Sequence, residues 1–147
     1  MNNAVANFKR RWINGTNFNI KPPEPKKGKR YYLLVHKPSG ANVAFQWYPK
    51  YIYISYGETP NTQRGRGIGT KLRALVTMLG IETGKKVYQT GVLMGKNMPN
   101  GRPISTYIVR NKLGYSRNVK GNNYNSVFKV GNNNSKVRNV LKRANTN

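Results

Sequence analysis

The chain has 147 residues, and its 27 Lys and Arg residues against three acidic ones give a formal net charge of +24. The acids are Glu24, Glu58 and Glu82, and no Asp occurs. The absence of Cys excludes disulfides, thiolate metal sites and a thiol nucleophile. No apolar run approaches the ~18 residues of a membrane span, so we expect a protein of the cytoplasm or nucleus with no membrane span.

The positive charge is spread along the chain. Residues 1–30 hold eight of the cations, residues 31–130 hold fifteen and residues 131–147 hold four. Solubility alone needs a net charge of only ~2–8 in a small domain. Residues 31–130 are strongly cationic even without the two ends of the chain, and such a surface attracts anions. We therefore expect an anionic partner, such as nucleic acid or an acidic protein surface.

Composition divides the chain into three segments. Residues 1–29 have a Pro-rich, basic stretch and no sustained apolar period, which predicts a basic extended arm. Residues 30–130 show the patterns of a folded domain. Residues 131–147 are a basic, Asn-rich tail in which Lys136–Ala144 is predicted to form a short helix. We expect the arm and the tail to be where subunits of a large assembly would attach.

Strand and helix patterns follow one another through the central segment. The predicted strands are Tyr31–Lys37, Val43–Tyr48, Lys50–Tyr56, Val87–Leu93, Tyr115–Val119 and Ser126–Val130, and the predicted helices run from about Gly67 to Leu79 and from Pro103 to Leu113. The order β-β-β-α-β-α-β-β predicts an α/β (α+β) fold with a mixed, mostly antiparallel sheet and helices on its faces.

A glycine-rich loop between the third strand and the first helix is the sharpest local signal. Three glycines in five residues let the backbone turn tightly and present its N–H groups. At a helix N-terminus such groups favour an anion, and two arginines add positive potential. The residues predicted to bind a phosphate group are Arg64, Gly65, Arg66, Gly67, Ile68, Gly69 and Thr70.

Two motifs resemble those of the GNAT superfamily of N-acetyltransferases. Arg64-x-x-Gly67-x-Gly69 matches the R/Q-x-x-G-x-G/A motif of that family. Downstream, Asn111–Tyr115 resembles the end of the family's Y-x-K-L-G-F helix. The element order is similar to that of a GNAT core from its second strand onward, so the resemblance covers roughly residues 31–130.

The resemblance implies a cofactor and a reaction. Acetyl-CoA would lie with its pyrophosphate on the amides of Gly65–Thr70 and its pantetheine arm between the strands at 50–56 and 87–93. The acetyl group would pass directly to an amine, with a general base and an acid that protonates the leaving thiolate. No metal is expected.

The acid and the base are less clearly marked. Where the family has its usual Tyr, four residues before the Gly of the second motif, this chain has Arg110. Tyr107 is the substitute candidate for the acid, although a Tyr on such a helix is also typical of a core. Glu58 is the candidate base, although its position also suits a surface acid. His36, the only His, is typical of a structural residue.

Three functions remain open from the sequence. The resemblance implies an acetyl-CoA-dependent N-acyltransferase with an unknown acceptor. The charge and the missing acid and base favour a catalytically inactive GNAT-fold basic structural protein in a large assembly such as a virion, as a minor capsid or nucleic-acid-associated component. The third function is nucleic-acid binding, in which aromatic side chains of the strands would stack on bases. The same side chains are also typical of a core and of cross-strand packing. They are Tyr31, Tyr32, Trp47, Tyr48, Tyr51, Tyr53 and Tyr56.

Overall fold

The computed structural model describes residues 1–58, 67–90, 104–118, 120, 124–131 and 133–144. The strands are β1 (Phe18–Lys21), β2 (Tyr32–His36), β3 (Asn42–Trp47), β4 (Tyr51–Glu58), β5 (Lys86–Gln89), β6 (Ser116–Arg117) and β7 (Ser126–Phe128). The helices are α1 (Asn3–Phe8), α2 (Ile68–Thr83), α3 (Ile104–Tyr107) and α4 (Asn134–Ala144). Two π-helical turns, Lys9–Ile13 and Ile108–Lys112, continue α1 and α3, and a 3-10 turn spans Pro25–Lys27.

The seven strands form one sheet in the order β1-β2-β3-β4-β5-β7-β6. All neighbouring strands are antiparallel except β4 and β5, which are parallel and connected through α2. The predicted mixed, mostly antiparallel sheet with packed helices is confirmed. The last two predicted strands are present as β6 and β7, which pair antiparallel and are shorter than expected.

The N-terminal residues differ from the expected extended arm. They form α1 and its π-helical turn, and then β1, which pairs antiparallel with β2. Their apolar side chains are spaced so that a short helix and a short strand turn them toward the same core. The residues that are at most 2 % exposed are Val5, Phe8, Ile13, Phe18 and Ile20.

Helix α2 is buried around most of its circumference. The sequence predicts one apolar face toward a sheet, but every residue from Leu72 to Gly80 is buried. Strands β3–β5 contact one side of α2, and α4 also packs against it, with Val137, Val140 and Leu141 in the same core. One charged residue, Arg73, is among the buried residues of the helix.

The other described helices are short. In the tail, α4 begins two residues before the short helix predicted at Lys136–Ala144. No helix in the described part of the chain combines the length and the apolar character needed to cross a bilayer.

Two glycines near the end of α2 have different roles. Gly84 ends the helix in the left-handed conformation, with φ of 70°. Gly80 lies within the helix and packs closely against β5. A Cβ on it would lie 2.5 Å from Val87 Cγ2 and 2.8 Å from the Lys85 carbonyl oxygen. The close approach of α2 to β5 therefore depends on the missing side chain of Gly80.

We expect Gly80→Ala to destabilise the fold by about 1–3 kcal/mol, because the new methyl group overpacks a contact with backbone. Intrinsic helix propensity alone predicts the opposite sign, since Ala is favoured over Gly in a helix by roughly 0.5–1 kcal/mol. Denaturant unfolding of the two proteins measures the difference, and a stabilised variant would contradict the close packing.

Candidate phosphate-binding site

The candidate site lies where β4 and β5 end. The parallel pairing between them extends to Ile54 and Gln89 within the described residues. On its other side, β4 has a bulge at Ser55, since Ala44 of β3 lies opposite Tyr56 and the next residue of β3 lies opposite Ile54. A bulge bends a strand and increases its twist. The bend in β4 therefore comes immediately after its last described pair with β5.

Helix α2 begins at this end of the sheet, since a crossover helix runs back along the two parallel strands that it joins. Gly67 precedes the helix with φ of 75°, and no side chain caps the N-terminus. The N–H of Lys71 donates to the Gly67 carbonyl oxygen at 3.0 Å. The preceding amides, of Ile68, Gly69 and Thr70, have no partner within the helix. Such amides and the helix dipole favour an anion.

The structure describes part of the predicted phosphate loop. Gly67 is exposed, Gly69 and Thr70 are half-buried, and Ile68 is buried in the core. Arg64, Gly65 and Arg66 lie outside the described residues. The apolar side chain of Ile68 thus anchors the start of α2 while the backbone around it remains at the surface.

A buried cation beside these amides was not identified from the sequence. Arg73, 8 % exposed, lies just beyond the first turn of α2. Its Nε donates to Gln89 Oε1 at 3.0 Å, and its Nη1 donates to the Gly69 carbonyl oxygen at 3.2 Å. A Cβ on Gly57 would lie 2.7 Å from its Nη2. The guanidinium therefore lies between the ends of β4 and β5 and the first turn of α2.

Arg73 has only neutral protein partners among the described residues. Glu24 and Glu82 form ion pairs with residues of the N-terminal segment, and Glu58 is exposed at the end of β4. Burial lowers the pKa of Arg73 to about 10 because the low-dielectric interior disfavours its charged form. The group is still charged at neutral pH, and a buried cation without a carboxylate stabilises an anion placed nearby.

Gln89 connects Arg73 to the next helix. Its Oε1 accepts from Arg73, and its Nε2 donates to the Ser105 carbonyl oxygen of α3 at 3.0 Å. The start of α2, the end of β5 and the start of α3 are therefore joined by one buried polar chain.

The two candidate catalytic residues lie on separate elements. Tyr107 ends α3 and is half-buried, with Lys112 Nζ 6.0 Å from its ring centroid. Glu58 ends β4, opposite Asn42 of β3. No hydrogen bond or ion pair between described residues joins Tyr107 to Glu58.

Arg110 occupies the position where the resemblance implies a Tyr. Its Nε donates to Ser126 Oγ at 2.9 Å, and its Nη2 donates to the Asn125 carbonyl oxygen at 3.0 Å. Arg110 thus ties the π-helical turn after α3 to strand β7.

The end of the second motif is buried. Leu113 is fully buried, and Tyr115 is 5 % exposed and shares a hydrogen bond of 2.6 Å with Thr77 Oγ1 of α2. Burial raises the pKa of the Tyr115 hydroxyl. Tyr115 is therefore a core residue that links the start of β6 to α2.

Two other residues singled out from the sequence lie in the core. Tyr32 is buried and stacks on Phe45, with ring centroids 5.2 Å apart. His36 is buried with its Nδ1 2.7 Å from Ser39 Oγ, and its ring lies 5.0 Å from that of Phe18. His36 thus has structural contacts, and Tyr32 is not available as a stacking surface.

A groove of about 330 Å³ lies partly on the face of the sheet that points away from α2. Tyr53 and Tyr88 belong to that face, since they alternate with core residues of β4 and β5. The hydroxyls of Tyr53 and Thr90 are hydrogen-bonded across the two strands. The described lining includes Lys120 and no carboxylate. No group of His, Asp and Glu among the described residues is placed to hold a metal ion.

The chain was compared with known proteins. No protein-family model matches it, and no curated protein matches it. The crystal structure of the anti-CRISPR protein AcrVA5 is similar, with 13% sequence identity and a TM-score of 0.49. The match covers 60% of this chain and 90% of that chain. At that identity and TM-score it assigns neither a family nor an activity.

We expect the contribution of Tyr115 to stability to fall above about pH 10. Its pKa is raised in the folded state, so the unfolded chain loses this proton first and gains stability as the pH rises. Tyr115→Phe removes this pH dependence. Near neutral pH the substitution lowers the free energy of unfolding by about 1 kcal/mol, because the hydrogen bond to Thr77 is lost.

Denaturant unfolding measures the free energy of unfolding of the unmodified protein and of Tyr115→Phe from about pH 8 to about pH 10.5. We expect the difference between the two free energies to narrow by about 0.8 kcal/mol over that interval. Parallel pH profiles for the two proteins would contradict the buried, un-ionised hydroxyl.

Proposed function

We propose that the chain is an acetyl-CoA-dependent N-acyltransferase of the GNAT type. The observation that carries the proposal is the position of Arg73, a buried cation with neutral partners directly beside the first-turn amides of α2. This arrangement suits the diphosphate of a cofactor, because both the amides and the guanidinium favour negative charge. The glycine-rich motif that precedes α2 supports the same site.

In this proposal, backbone amides and arginine side chains bind the pyrophosphate together. The amides of Ile68, Gly69 and Thr70 hold the pyrophosphate, and Gly67 keeps the approach free of a side chain. Arg73 adds positive potential from the core side. Arg64, Gly65 and Arg66 are proposed to complete the phosphate loop, on the strength of the motif that they share with the family.

The bend in β4 suits the pantetheine arm. In a regular parallel pair, the two strands would continue to bond each other and leave no edge for a ligand. In this proposal the bulge at Ser55 turns β4 away from β5 after Ile54 and leaves backbone groups for a bound amide chain. When bound, acetyl-CoA supplies the acyl group that the reaction transfers.

Tyr107 and Glu58 are the proposed proton-transfer residues. Tyr107 follows Ser105 on α3, which Gln89 ties to the end of β5, and it is proposed to donate a proton to the leaving thiolate. Glu58, exposed at the end of β4, is proposed to accept the amine proton through water. Positioned acids and bases contribute roughly 10²–10⁴-fold each to the rate.

The charge also bears on the acceptor. A protonated polyamine is repelled by a protein with 27 cations and three carboxylates. The tyrosine-lined groove beside Thr90 has no described carboxylate that would attract a cationic substrate. We therefore propose that the acceptor amine belongs to a molecule with a neutral or anionic body.

A second candidate function is a catalytically inactive, basic component of a larger assembly. The position of Arg110 favours it, because the family's usual Tyr is replaced there by a residue that bonds Ser126 and Asn125. In that case the phosphate site would bind an anionic partner without catalysis.

We expect Gly67→Asp to weaken CoA binding about tenfold or more, because a carboxylate within ~4 Å of the pyrophosphate costs roughly 1–4 kcal/mol. Gly84→Asp is the matched control, since Gly84 is also left-handed, also has open space around its Cα and lies at the other end of α2. Isothermal calorimetry with CoA measures both. Equal losses in the two variants, or no binding to the unmodified protein at low salt, would reject the cofactor.

We expect Tyr107→Phe to lower kcat for acetyl transfer about 10²-fold while the affinity for CoA is unchanged. Thiol release from acetyl-CoA, measured with a panel of neutral and anionic amines, provides the rate. An unchanged kcat would remove Tyr107 as the acid. CoA binding without acetyl-CoA consumption by any amine would favour the inactive candidate.

A further inference from the structure

A second anion-binding site is suggested by a groove along α4. The groove has a volume of about 450 Å³ and lies between the π-helical turn after α3 and helix α4. We call it the lysine groove, and its lining residues, all exposed, are Asn111, Lys112, Lys136, Asn139 and Lys142. The lining contains three ammonium groups, two amides and no carboxylate.

The two walls of the lysine groove are fixed to each other. Gly114, with φ of 81°, lies so close to Asn133 that a Cβ on it would be 2.5 Å from Asn133 Cβ. Asn133 Nδ2 donates to the Gly114 carbonyl oxygen at 3.0 Å. Val137 and Leu141 of α4 are buried in the core. The groove is therefore built by packing and hydrogen bonding.

The spacing of the donors suits an extended anion. Lys136, Asn139 and Lys142 follow each other at intervals of three residues, so they form one inclined row along α4. Lys112 and Asn111 face that row from the opposite wall. None of the three Glu residues belongs to the lining, so no described side chain in the groove compensates the positive charge.

The chemistry of the lining distinguishes between anionic partners. Protein–protein interfaces are depleted in Lys and depend on buried aromatic and apolar anchors, none of which lines this groove. Nucleic-acid interfaces are more polar and more positively charged, and Lys and Asn are common donors to phosphate oxygens. No aromatic ring is among the described lining residues, so we expect the groove to contact phosphates rather than to stack on bases.

We propose that the lysine groove binds the phosphate backbone of nucleic acid without reading its sequence. The site is separate from the proposed cofactor site, because it lies on the π-helical turn and α4 and includes no residue of α2 or β4. Binding therefore does not depend on CoA or on catalysis.

The test compares two variants that lose the same charge. Lys112→Gln/Lys136→Gln/Lys142→Gln neutralises the groove, and Lys26→Gln/Lys29→Gln/Lys37→Gln neutralises three exposed lysines that lie beside β1 and β2. Fluorescence anisotropy with a 20-nucleotide single strand of mixed sequence, and with its duplex, measures affinity as a function of salt. Thermal unfolding checks that both variants are folded, and Lys112→Gln alone provides a variant with α4 unchanged.

We expect the groove variant to bind roughly tenfold or more weakly at moderate salt and the slope of log K against log salt to fall by about two to three. The control variant should lose only a small part of its affinity, Lys112→Gln should lower the slope by about one, and two unrelated sequences should bind alike. A preference for the single strand or for the duplex would identify the source of the phosphates. Gly67→Asp should leave this binding unchanged, which separates the result from the proposed cofactor site.

Equal losses in the groove and control variants would overturn the proposal, because the general charge of the protein would then explain binding. Absence of binding by the unmodified protein at low salt would also overturn it. So would displacement of the nucleic acid by a glutamate-rich peptide of equal charge at equal concentration, which would indicate an acidic protein partner.

Discussion

The buried guanidinium of Arg73 is the constraint on which the candidate site depends. It lies against Gly57, where a Cβ would be 2.7 Å from its Nη2, and it donates to Gln89 Oε1 and to the Gly69 carbonyl oxygen. These three residues belong to β4, β5 and α2. Since a buried charge without partners is costly, the contacts hold the three elements in a fixed arrangement where β4 bends.

Helix α2, which carries Arg73, is covered on both sides. The sheet covers one side, while α1 and α4 also pack against the helix and place their apolar residues in the same core. Ion pairing of Glu82 with Arg11 further connects the end of α2 to the N-terminal segment. The two basic ends of the chain are thus part of the packing that creates the site.

The sequence predicted the central strands and α2 because their apolar residues follow clear periods of two and of three to four. It missed α1 and β1 because each is too short to show a period and the intervening residues are polar or basic. Val5 and Phe8 are separated by three positions, and Phe18 and Ile20 by two, which is consistent with their elements only once the core is known.

The candidate site was predictable in part for a similar reason. Glycines before an amphipathic helix are a local sequence motif, so the phosphate loop could be predicted without knowledge of tertiary contacts. Arg73 could not, because an Arg in a helix is ordinarily exposed, and its burial against Gly57 of β4 and Gln89 of β5 is a set of tertiary contacts. The clustering of the groove lysines was not predictable from the sequence, because the pairing of Gly114 with Asn133 that forms the groove is a tertiary contact.

The two proposals give the excess positive charge two ligands. One is a compact diphosphate at the start of α2, and the other is an extended phosphate backbone along α4. The central claim is that the amides at the start of α2 hold the diphosphate. The most direct measurement is an amide NMR titration with CoA and, separately, with pantetheine, which lacks the phosphates. We expect the largest shifts at Gly67, Ile68, Gly69 and Thr70, and only with CoA. Equal shifts with pantetheine, or CoA shifts confined to the lysine groove, would contradict it.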